Sequence, residues 1–252
     1  MTSQETASKQ NGLSRCPALL LVGGLGTRLR QVYADGPKAL APIQGRPFLA
    51  YLLRMLAGNG LSRVVLCVGY RAGQIEQWLA GQNFGLDIFY SREDEPMGTA
   101  GALGLAYSRY ACGERVLAMN GDSIMELDLA KMWNLHLTSS AEVSIALARV
   151  SDTSRYGSVE VNEDGWVTSF REKGSGEGAG YINGGVYLFE PSVMDRVVKD
   201  GSVSLEREVL PYQLTRGVLA FKADGYFIDI GVPQDLARAQ SELSQGQKLE
   251  LS

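Results

Sequence analysis

The chain has few of the residues that build histidine- or thiolate-based sites. Its 252 residues include three cysteines and one histidine. Cys16, Cys67 and Cys112 are far apart and form no CxxC pair, so we expect reduced thiols in a cytoplasmic protein. His136 has no histidine or cysteine at ligand spacing. This excludes zinc sites and histidine-based nucleophilic triads and gives His136 a structural role.

The chain also lacks an excess of positive charge and long apolar runs. Its net charge of −4 and pI near 5.2 argue against a nucleic-acid partner bound through a global basic field. No apolar run reaches the roughly 18 residues of a membrane span. Residues 1–15 are polar and lack the apolar segment of a secretory signal, so we expect a disordered tail there.

What is present is a regular alternation of strand-like and helix-like segments. The predicted strands of the first half lie at residues 18–22, 63–68, 87–90, 116–119 and 143–149, and the predicted helices lie at 47–58, 72–79, 99–107 and 128–139. This rhythm predicts a doubly wound α/β fold, Rossmann-like, with a mixed, mainly parallel sheet.

The second half has more strand-like segments. We predict a hairpin at 157–161 and 167–171, a flexible glycine loop at 174–180, strands at 185–189, 218–221 and 226–230 that close the sheet, and helices at 191–198, 205–214 and 232–243. No linker is long enough to separate domains. We therefore expect one domain over 16–244, with halves at 16–150 and 151–244, and a frayed end at 245–252.

A glycine-rich turn follows the first predicted strand. Gly23, Gly24 and Gly26 let backbone N–H groups approach a ligand, and Arg28 and Lys38 bring two positive charges close behind. The turn fits neither the dinucleotide fingerprint, because Leu29 occupies the third glycine position, nor a P-loop, which needs Gly-Lys-Ser/Thr. It predicts a phosphate-binding loop, with a tight turn that binds nothing as the alternative.

Two aspartates lie at predicted strand ends. Asp122 follows the strand at 116–119, and Asp229 lies in the strand at 226–230. Carboxylates at the carboxyl edge of an α/β sheet can jointly bind Mg²⁺ together with substrate phosphates. The alternative is that each aspartate caps a turn or helix.

A third signal is the polar set before and after the glycine loop. Glu172 and Asn183 could bind sugar hydroxyls, and Lys173 could neutralise a phosphate. Taken alone, Glu172 and Lys173 could equally be a solvated charge pair.

Taken in order, these motifs resemble the sugar-1-phosphate nucleotidyltransferases. The likeness covers residues 16–244 and is carried by Gly23-Gly24-Leu25-Gly26-Thr27-Arg28-Leu29, Pro37-Lys38, Glu95-Pro96-Met97-Gly98-Thr99-Ala100-Gly101, Asn120-Gly121-Asp122, Glu172-Lys173, Asn183-Gly184-Gly185 and Asp229-Ile230-Gly231. Within the family the chain is most similar to guanylyltransferases of D-glycero-α-D-manno-heptose 1-phosphate, and next to those of mannose 1-phosphate. The first motif often continues with Pro and Thr, whereas Arg30-Gln31-Val32 stands here, which fits this branch better than the thymidylyl one.

The resemblance implies a role for each motif. The residues that would contact the base and ribose are Leu21, Val22, Gly23 and Gly24, and those that would contact the triphosphate are Gly26, Thr27 and Arg28. Gly98, Thr99 and Ala100 would line the base pocket, with Glu93 or Glu95 nearby. Asn120 and Gly121 complete the nucleotide-binding set. Lys38 would face the α-phosphate, and Asp122 and Asp229 would bind Mg²⁺. Glu172, Lys173, Asn183 and Gly184 would bind the sugar phosphate.

The resemblance further implies a reaction. An NTP, GTP in this branch, and a sugar 1-phosphate would give a nucleotide sugar and pyrophosphate for surface polysaccharide synthesis, with Arg28, Lys38, Asp122 and Asp229 as catalytic residues. Uridylyl, thymidylyl and cytidylyl relatives, and a non-catalytic nucleotide-sugar sensor, remain as alternatives. The oligomeric state stays open, with a homodimer as one alternative.

Overall fold

The protein is described by a computed structural model that covers residues 12–171, 174 and 178–243. Its strands are β1 (Ala18–Leu21), β2 (Pro42–Ile43), β3 (Arg46–Pro47), β4 (Arg63–Val68), β5 (Asp87–Arg92), β6 (Val116–Asn120), β7 (Ser123–Met125), β8 (Val143–Val150), β9 (Val159–Val161), β10 (Val167–Phe170), β11 (Gly180–Phe189), β12 (Val218–Ala223) and β13 (Phe227–Asp229). Its α-helices are α1 (Phe48–Gly58), α2 (Ala72–Leu79), α3 (Gly98–Tyr110), α4 (Leu129–Ser139), α5 (Pro191–Asp200), α6 (Leu210–Leu214) and α7 (Pro233–Glu242).

A seven-stranded mixed sheet runs through the molecule in the order β12-β8-β11-β6-β1-β4-β5. β11 is antiparallel to both of its neighbours, and the other neighbouring pairs are parallel. The predicted doubly wound, mainly parallel α/β fold is therefore confirmed.

Helices cover both faces of this sheet because its strands are apolar on both sides. In β1, Leu20 packs into the layer with α1, α2 and α4, and Leu19 packs into the opposite layer with α3 and α5. Both leucines are fully buried. The sheet is thus a rigid scaffold whose functional groups emerge at its edges.

One predicted strand pairs differently from the expectation. Residues 226–230 were predicted to close the main sheet, and this is wrong: β13 pairs antiparallel with β7 in a separate two-stranded sheet. The apolar pattern of β13 is satisfied by burying Ile228 beside Ile124. Pattern alone does not select the partner strand.

The predicted tail also differs in part. Residues 12–15 form a helical turn that buries Leu13, and Ser62 Oγ donates a hydrogen bond to the Ser14 carbonyl at 2.9 Å. Leu13 is the apolar anchor that orders this turn. Residues 1–11 and 244–252, and with them the rest of the predicted tail and the predicted frayed end, lie outside the described residues.

The single histidine has the structural role expected of it. His136 is buried, with Nδ1 2.7 Å from Ser144 Oγ and Nε2 3.0 Å from a Glu190 carboxylate oxygen. Burial lowers the pKa of His136, against the opposing effect of the Glu190 charge. It joins α4, β8 and the end of β11. The cysteines Cys16, Cys67 and Cys112 are all free thiols.

Among the described residues, no helix combines the length and the apolar composition needed to cross a membrane.

Candidate functional site

A cleft of about 620 Å³ opens at the carboxyl ends of β1, β4 and β6. Ligands of open α/β sheets characteristically bind outside this edge. Its walls are formed by Leu21, Gly23, Gly24, Leu25, Cys67, Gly69, Tyr70, Glu93, Asp94, Glu95, Pro96, Gly98, Thr99, Ala102, Asn120, Gly121, Asp122 and Glu206. Many of the predicted nucleotide-binding residues therefore line one cavity.

The glycine turn is held against the end of β4 by close backbone packing. A Cβ at Gly23 would lie 2.8 Å from the Gly69 nitrogen, so only glycine fits there. Tyr70 N–H donates to the Gly23 carbonyl at 3.2 Å, and Val22 N–H donates to the Cys67 carbonyl at 3.1 Å. The Val22 side chain is buried behind the turn. The backbone of the turn is thus fixed at the cleft wall.

The predicted triphosphate residues continue from this turn. Gly26 has φ +56°, a conformation that favours glycine, and packs against the Lys38 side chain. Thr27 and Arg28 are exposed, and Arg28 caps the short 3₁₀ turn of Leu29–Gln31. None of Gly26, Thr27 and Arg28 is among the residues that line the cleft. Arg28 forms no ion pair with any carboxylate in the described part of the chain.

Lys38 and the two aspartates form the charged centre of the site. Lys38 Nζ donates to Asp122 Oδ2 at 2.6 Å and lies 3.8 Å from Asp229 Oδ1. The Lys38 side chain is only 15% exposed, so its charge is shielded from bulk solvent. The sequence placed these three residues at one site, and the structure brings them together.

Local pairing of β13 with β7 delivers Asp229 to this centre. Asp229 is the register partner of Ser123, and Ile230 N–H donates to the Asp122 carbonyl at 2.9 Å. Gly231 N–H donates to Asp229 Oδ1 at 2.6 Å and fixes the carboxylate. The strand that does not join the main sheet is therefore what positions the second aspartate.

Two like charges lie close together here. Burial and the negative charge of Asp122 raise the pKa of Asp229, against the opposing effect of Lys38. Such a pair is stabilised by further positive charge. Within the described residues no cluster of three or more His, Cys, Asp or Glu side chains is suited to a metal. A cation here would share its coordination with a ligand.

The opposite wall is the start of α3 with the segment Leu205–Val209. Thr99 Oγ1 donates to Glu206 Oε2 at 3.1 Å and accepts from Leu205 N–H at 2.9 Å. Ala100 is fully buried and its N–H donates to the Val203 carbonyl at 2.9 Å, so Ala100 lies behind this wall rather than in it. Of the loop glutamates, Glu93 accepts from Met97 N–H at 3.1 Å, and Glu95 is exposed.

The predicted sugar-phosphate residues are only partly within the described chain. Asn183 donates through Nδ2 to Tyr187 Oη at 2.7 Å and accepts at Oδ1 from Gly185 N–H at 2.9 Å. Gly184 is buried against Met125, and a side chain there would overlap its sulfur. Neither lines the nucleotide cleft. Glu172 and Lys173 lie outside the described residues.

Tyr70 and Glu206 line the cleft but were not predicted. Tyr70 follows the end of β4, next to β1, so the strand-end rule that found Asp122 would also have found it. Glu206 follows no strand end. Its closeness to Thr99 is purely tertiary, and no sequence signal marks it.

The chain is similar to known proteins over most of its length. A profile of the nucleotidyl transferase family matches residues 17–246. The chain is 39% identical over 227 residues to the D-glycero-α-D-manno-heptose 1-phosphate guanylyltransferase of Aneurinibacillus thermoaerophilus, covering 90% of this chain and 97% of that protein. It is 35% identical over 233 residues to the mannose-1-phosphate guanylyltransferase of Mycobacterium tuberculosis, covering 91% of this chain but 65% of that longer protein.

A solved structure is similar over nearly the same length. The crystal structure of HddC from Yersinia pseudotuberculosis complexed with GMP-PN superposes with a TM-score of 0.80 at 33% identity, covering 90% of this chain and 99% of HddC. These matches confirm the resemblance carried by the sequence motifs. The chain belongs to the nucleotidyl transferase family.

Proposed function

We propose that this protein transfers a guanylyl group from GTP to a sugar 1-phosphate, D-glycero-α-D-manno-heptose 1-phosphate, in the cytoplasm. The observation that carries the proposal is the Lys38–Asp122–Asp229 centre at the mouth of a cleft built from the glycine turn. The heptose 1-phosphate guanylyltransferase of Aneurinibacillus thermoaerophilus, similar over nearly its whole length, supports the choice of base and sugar.

The reaction we propose is a single in-line displacement. A phosphate oxygen of the sugar 1-phosphate attacks the α-phosphorus of GTP, a new P–O bond forms, and the bond to pyrophosphate breaks. The nucleophile is already an anion, so the reaction needs no general base. Catalysis then depends on positioning and on neutralising charge.

Lys38 and Arg28 would provide this neutralisation. The partly buried Lys38 ammonium would stabilise charge that develops at the α-phosphate, where low solvent exposure strengthens the interaction. Arg28, which is exposed, would bind the triphosphate and the leaving pyrophosphate. Asn183 uses one Nδ2–H on Tyr187, and its other Nδ2–H, which has no partner among the described residues, would bind a sugar hydroxyl. Glu172, Lys173 and Gly184 complete the proposed sugar-phosphate side.

The two aspartates fit Mg²⁺. They are hard oxygen ligands, and the raised pKa of Asp229 beside Asp122 marks a place where a further cation is favoured. Asp122 and Asp229 would bind the ion through their carboxylates together with substrate phosphate oxygens. Bound there, Mg²⁺ would supply Lewis-acid neutralisation of phosphate charge.

Transfer to mannose 1-phosphate is a second candidate, favoured by the 35% identity to the Mycobacterium tuberculosis enzyme. The base and sugar can be tested together. Pyrophosphate release is measured for GTP, UTP, dTTP and CTP, each with heptose 1-phosphate, mannose 1-phosphate and glucose 1-phosphate. We expect GTP with heptose 1-phosphate to give the highest kcat/KM.

Other outcomes of this panel each contradict part of the proposal. A higher kcat/KM with mannose 1-phosphate would overturn the sugar, and a preference for another nucleotide would overturn the base. Nucleotide binding without pyrophosphate release from any pair would overturn catalysis and favour a nucleotide-sugar sensor.

A further inference from the structure

Two arginines share one aromatic ring beside the glycine turn. The Arg30 guanidinium lies 4.8 Å from the centroid of the Tyr70 ring, and that of Arg71 lies 5.3 Å from the same centroid. Tyr70 lines the cleft, and its N–H is bonded to the Gly23 carbonyl. Two positive charges are thus gathered on Tyr70, a residue of the cleft wall, although neither arginine lines the cleft itself.

Tertiary structure holds both arginines in place. Arg30 belongs to the 3₁₀ turn of Leu29–Gln31, which is anchored by the fully buried Leu29. Arg71 caps α2 with φ +55° and donates to the Ala34 carbonyl at 3.1 Å. The two elements that carry them are packed rather than free, so their approach to one ring is built into the fold.

No ion pair within the described part of the chain neutralises the charge of these two arginines. Neither Arg30 nor Arg71 forms an ion pair with a carboxylate over the ranges that the structure describes, and Arg28 nearby has none either. The ring faces of Tyr70 offset part of the repulsion between the guanidinium groups. An anion with several oxygens would relieve the rest, because guanidinium forks match phosphate geometry.

We propose that Arg30 and Arg71, held on Tyr70, bind the terminal phosphates of the nucleoside triphosphate and the pyrophosphate that leaves. The inference rests on the proposed function, because it assigns a further subsite of that nucleotide site. This subsite distinguishes a triphosphate from a monophosphate.

The test is the binding of GTP, GDP, GMP and inorganic pyrophosphate, each measured by calorimetry at one ionic strength and one Mg²⁺ concentration. Arg30→Gln, Arg71→Gln and the double variant are compared with the unaltered chain. We expect about a tenfold loss of GTP and pyrophosphate affinity for each guanidinium removed, with GMP affinity unchanged. Arg30→Lys should recover part of the loss because it keeps the charge.

Arg216→Gln is the matched control. Its guanidinium also lies over a tyrosine ring, 6.0 Å from the Tyr212 centroid, but it is paired with Glu142 and lies just before β12, away from the cleft. This variant should bind all four ligands like the unaltered chain. The Arg30 side chain is exposed and forms no hydrogen bond with the described residues, so Arg30→Gln removes the charge and its contact with the Tyr70 ring but breaks no side-chain hydrogen bond.

The outcomes separate this inference from the function on which it rests. If the unaltered chain does not bind GTP, the proposed function fails. If it binds GTP and the Arg30 and Arg71 variants keep the same ratio of GTP to GMP affinity, the phosphate subsite is wrong while the function stands. An equal loss for GTP, GDP and GMP would also overturn the subsite, because it would indicate a distorted cleft.

Discussion

Asp229 shows at the scale of one residue how a functional charge conflicts with stability. Its raised pKa means that the folded protein holds the proton more tightly than the unfolded chain does. The stabilisation from this proton is present at low pH and is lost as pH rises through the raised pKa. At neutral pH the ionised carboxylate therefore costs stability. Lys38 offsets part of that cost, and a bound cation would offset more.

Asp229→Asn should separate these two properties. The amide oxygen can still accept from Gly231 N–H, and Lys38 keeps Asp122 at 2.6 Å. We expect the melting temperature at pH 7.5 without divalent ions to be unchanged or higher, while turnover falls at least about 100-fold. Calorimetric melting and pyrophosphate release measure the two effects.

The difference in stability between Asp229→Asn and the unaltered protein should depend on pH. As pH is lowered, Asp229 of the unaltered protein becomes protonated and the unaltered protein gains stability. Asp229→Asn has no such group, so its stability relative to the unaltered protein should fall. Mg²⁺ should raise the melting temperature of the unaltered protein but not of the variant. Asp87→Asn, at an exposed position in β5, is the control and should change neither property. A variant with near-normal turnover would contradict the role of Asp229.

At the scale of elements, an ion pair joins the β8–β9 connection to the start of α7. Arg155 Nη2 donates to Asp235 Oδ2 at 2.6 Å, and the Asp235 side chain is 5% exposed. The β8–β9 connection also forms two backbone hydrogen bonds with residues of the glycine loop. Gly174 N–H donates to the Ser154 carbonyl, and Thr153 N–H donates to the Gly178 carbonyl. This pair therefore links the helix that follows Asp229 to Gly174 and Gly178, which lie between the two parts of the proposed sugar-phosphate side.

Arg155→Ala should weaken that link and alter Asp229. Loss of the Arg155–Asp235 pair should lower the free energy of unfolding by about 1–2 kcal/mol. This is less than the loss of a fully buried pair would cost, because Arg155 is half exposed and because Arg238, 3.5 Å from Asp235, remains as a second partner. The Asp235 charge raises the pKa of Asp229, so removing its partner should raise that pKa further. The acid limb of the pH–rate profile should then move to higher pH.

Arg216→Ala is the control for Arg155→Ala. It also removes an arginine from a carboxylate, but that carboxylate, Glu142, is more exposed than Asp235. Arg216 and Glu142 are both partly exposed, and Glu142 keeps Arg196 at 2.8 Å. We expect little loss of stability, because both side chains are partly exposed to solvent, and no change in the pH–rate profile. An Arg155→Ala protein with an unshifted acid limb would show that the pair acts on stability alone.

The elements also show how far the sequence predicts the molecule. Strands and helices with a strong apolar period, such as β1, β4 and α1, were predicted close to their observed bounds. β11 was predicted only over residues 185–189, because its glycines resemble a loop, yet it runs from Gly180 and shifts register against β8 between Asn183 and Tyr187. Glycine in a strand often marks such an irregularity, which sequence pattern does not distinguish from a turn.

The same limit applies to the site. Asp122 and Asp229 were predicted together as carboxylates at strand ends, and Lys38 was predicted as a cation close behind the glycine turn. The route by which Asp229 reaches them, through the separate β7–β13 pair, was not predicted. The Thr99–Glu206 hydrogen bond and the two arginines on Tyr70 could not be predicted, because each depends on how distant elements pack. Sequence pattern reports which face of an element is buried, but it does not report which neighbour it meets.

At the scale of the whole molecule, the two halves of the chain interleave within one sheet. β8 of the first half lies between β12 and β11 of the second, and β11 lies between β8 and β6. Neither half can keep its strand neighbours without the other. We therefore expect one cooperative unfolding transition, and we expect residues 1–150 alone not to fold.

Ligand binding should report this coupling. Trp78 lies in α2 in the first half, and Trp166 forms an isolated bridge to Leu219 of β12 in the second. Variants that keep only one of these tryptophans, with the others replaced by Phe, let fluorescence follow each half. GTP at 100 times its Kd should stabilise the native state by about 2.7 kcal/mol and raise the melting temperature by about 5–10 °C.

GTP should raise the melting temperature equally whether unfolding is followed by Trp78 fluorescence, by Trp166 fluorescence or by far-UV circular dichroism. The reason is that GTP bound to the glycine turn stabilises the sheet that both halves share. UMP at the same concentration serves as the control for nucleotide added without specific binding, and it should shift neither midpoint. If GTP raised the midpoint at Trp78 and left that at Trp166 unchanged, the halves would unfold independently. The sugar side of the site would then not be held in place by the nucleotide side, contrary to what the interleaved strands require.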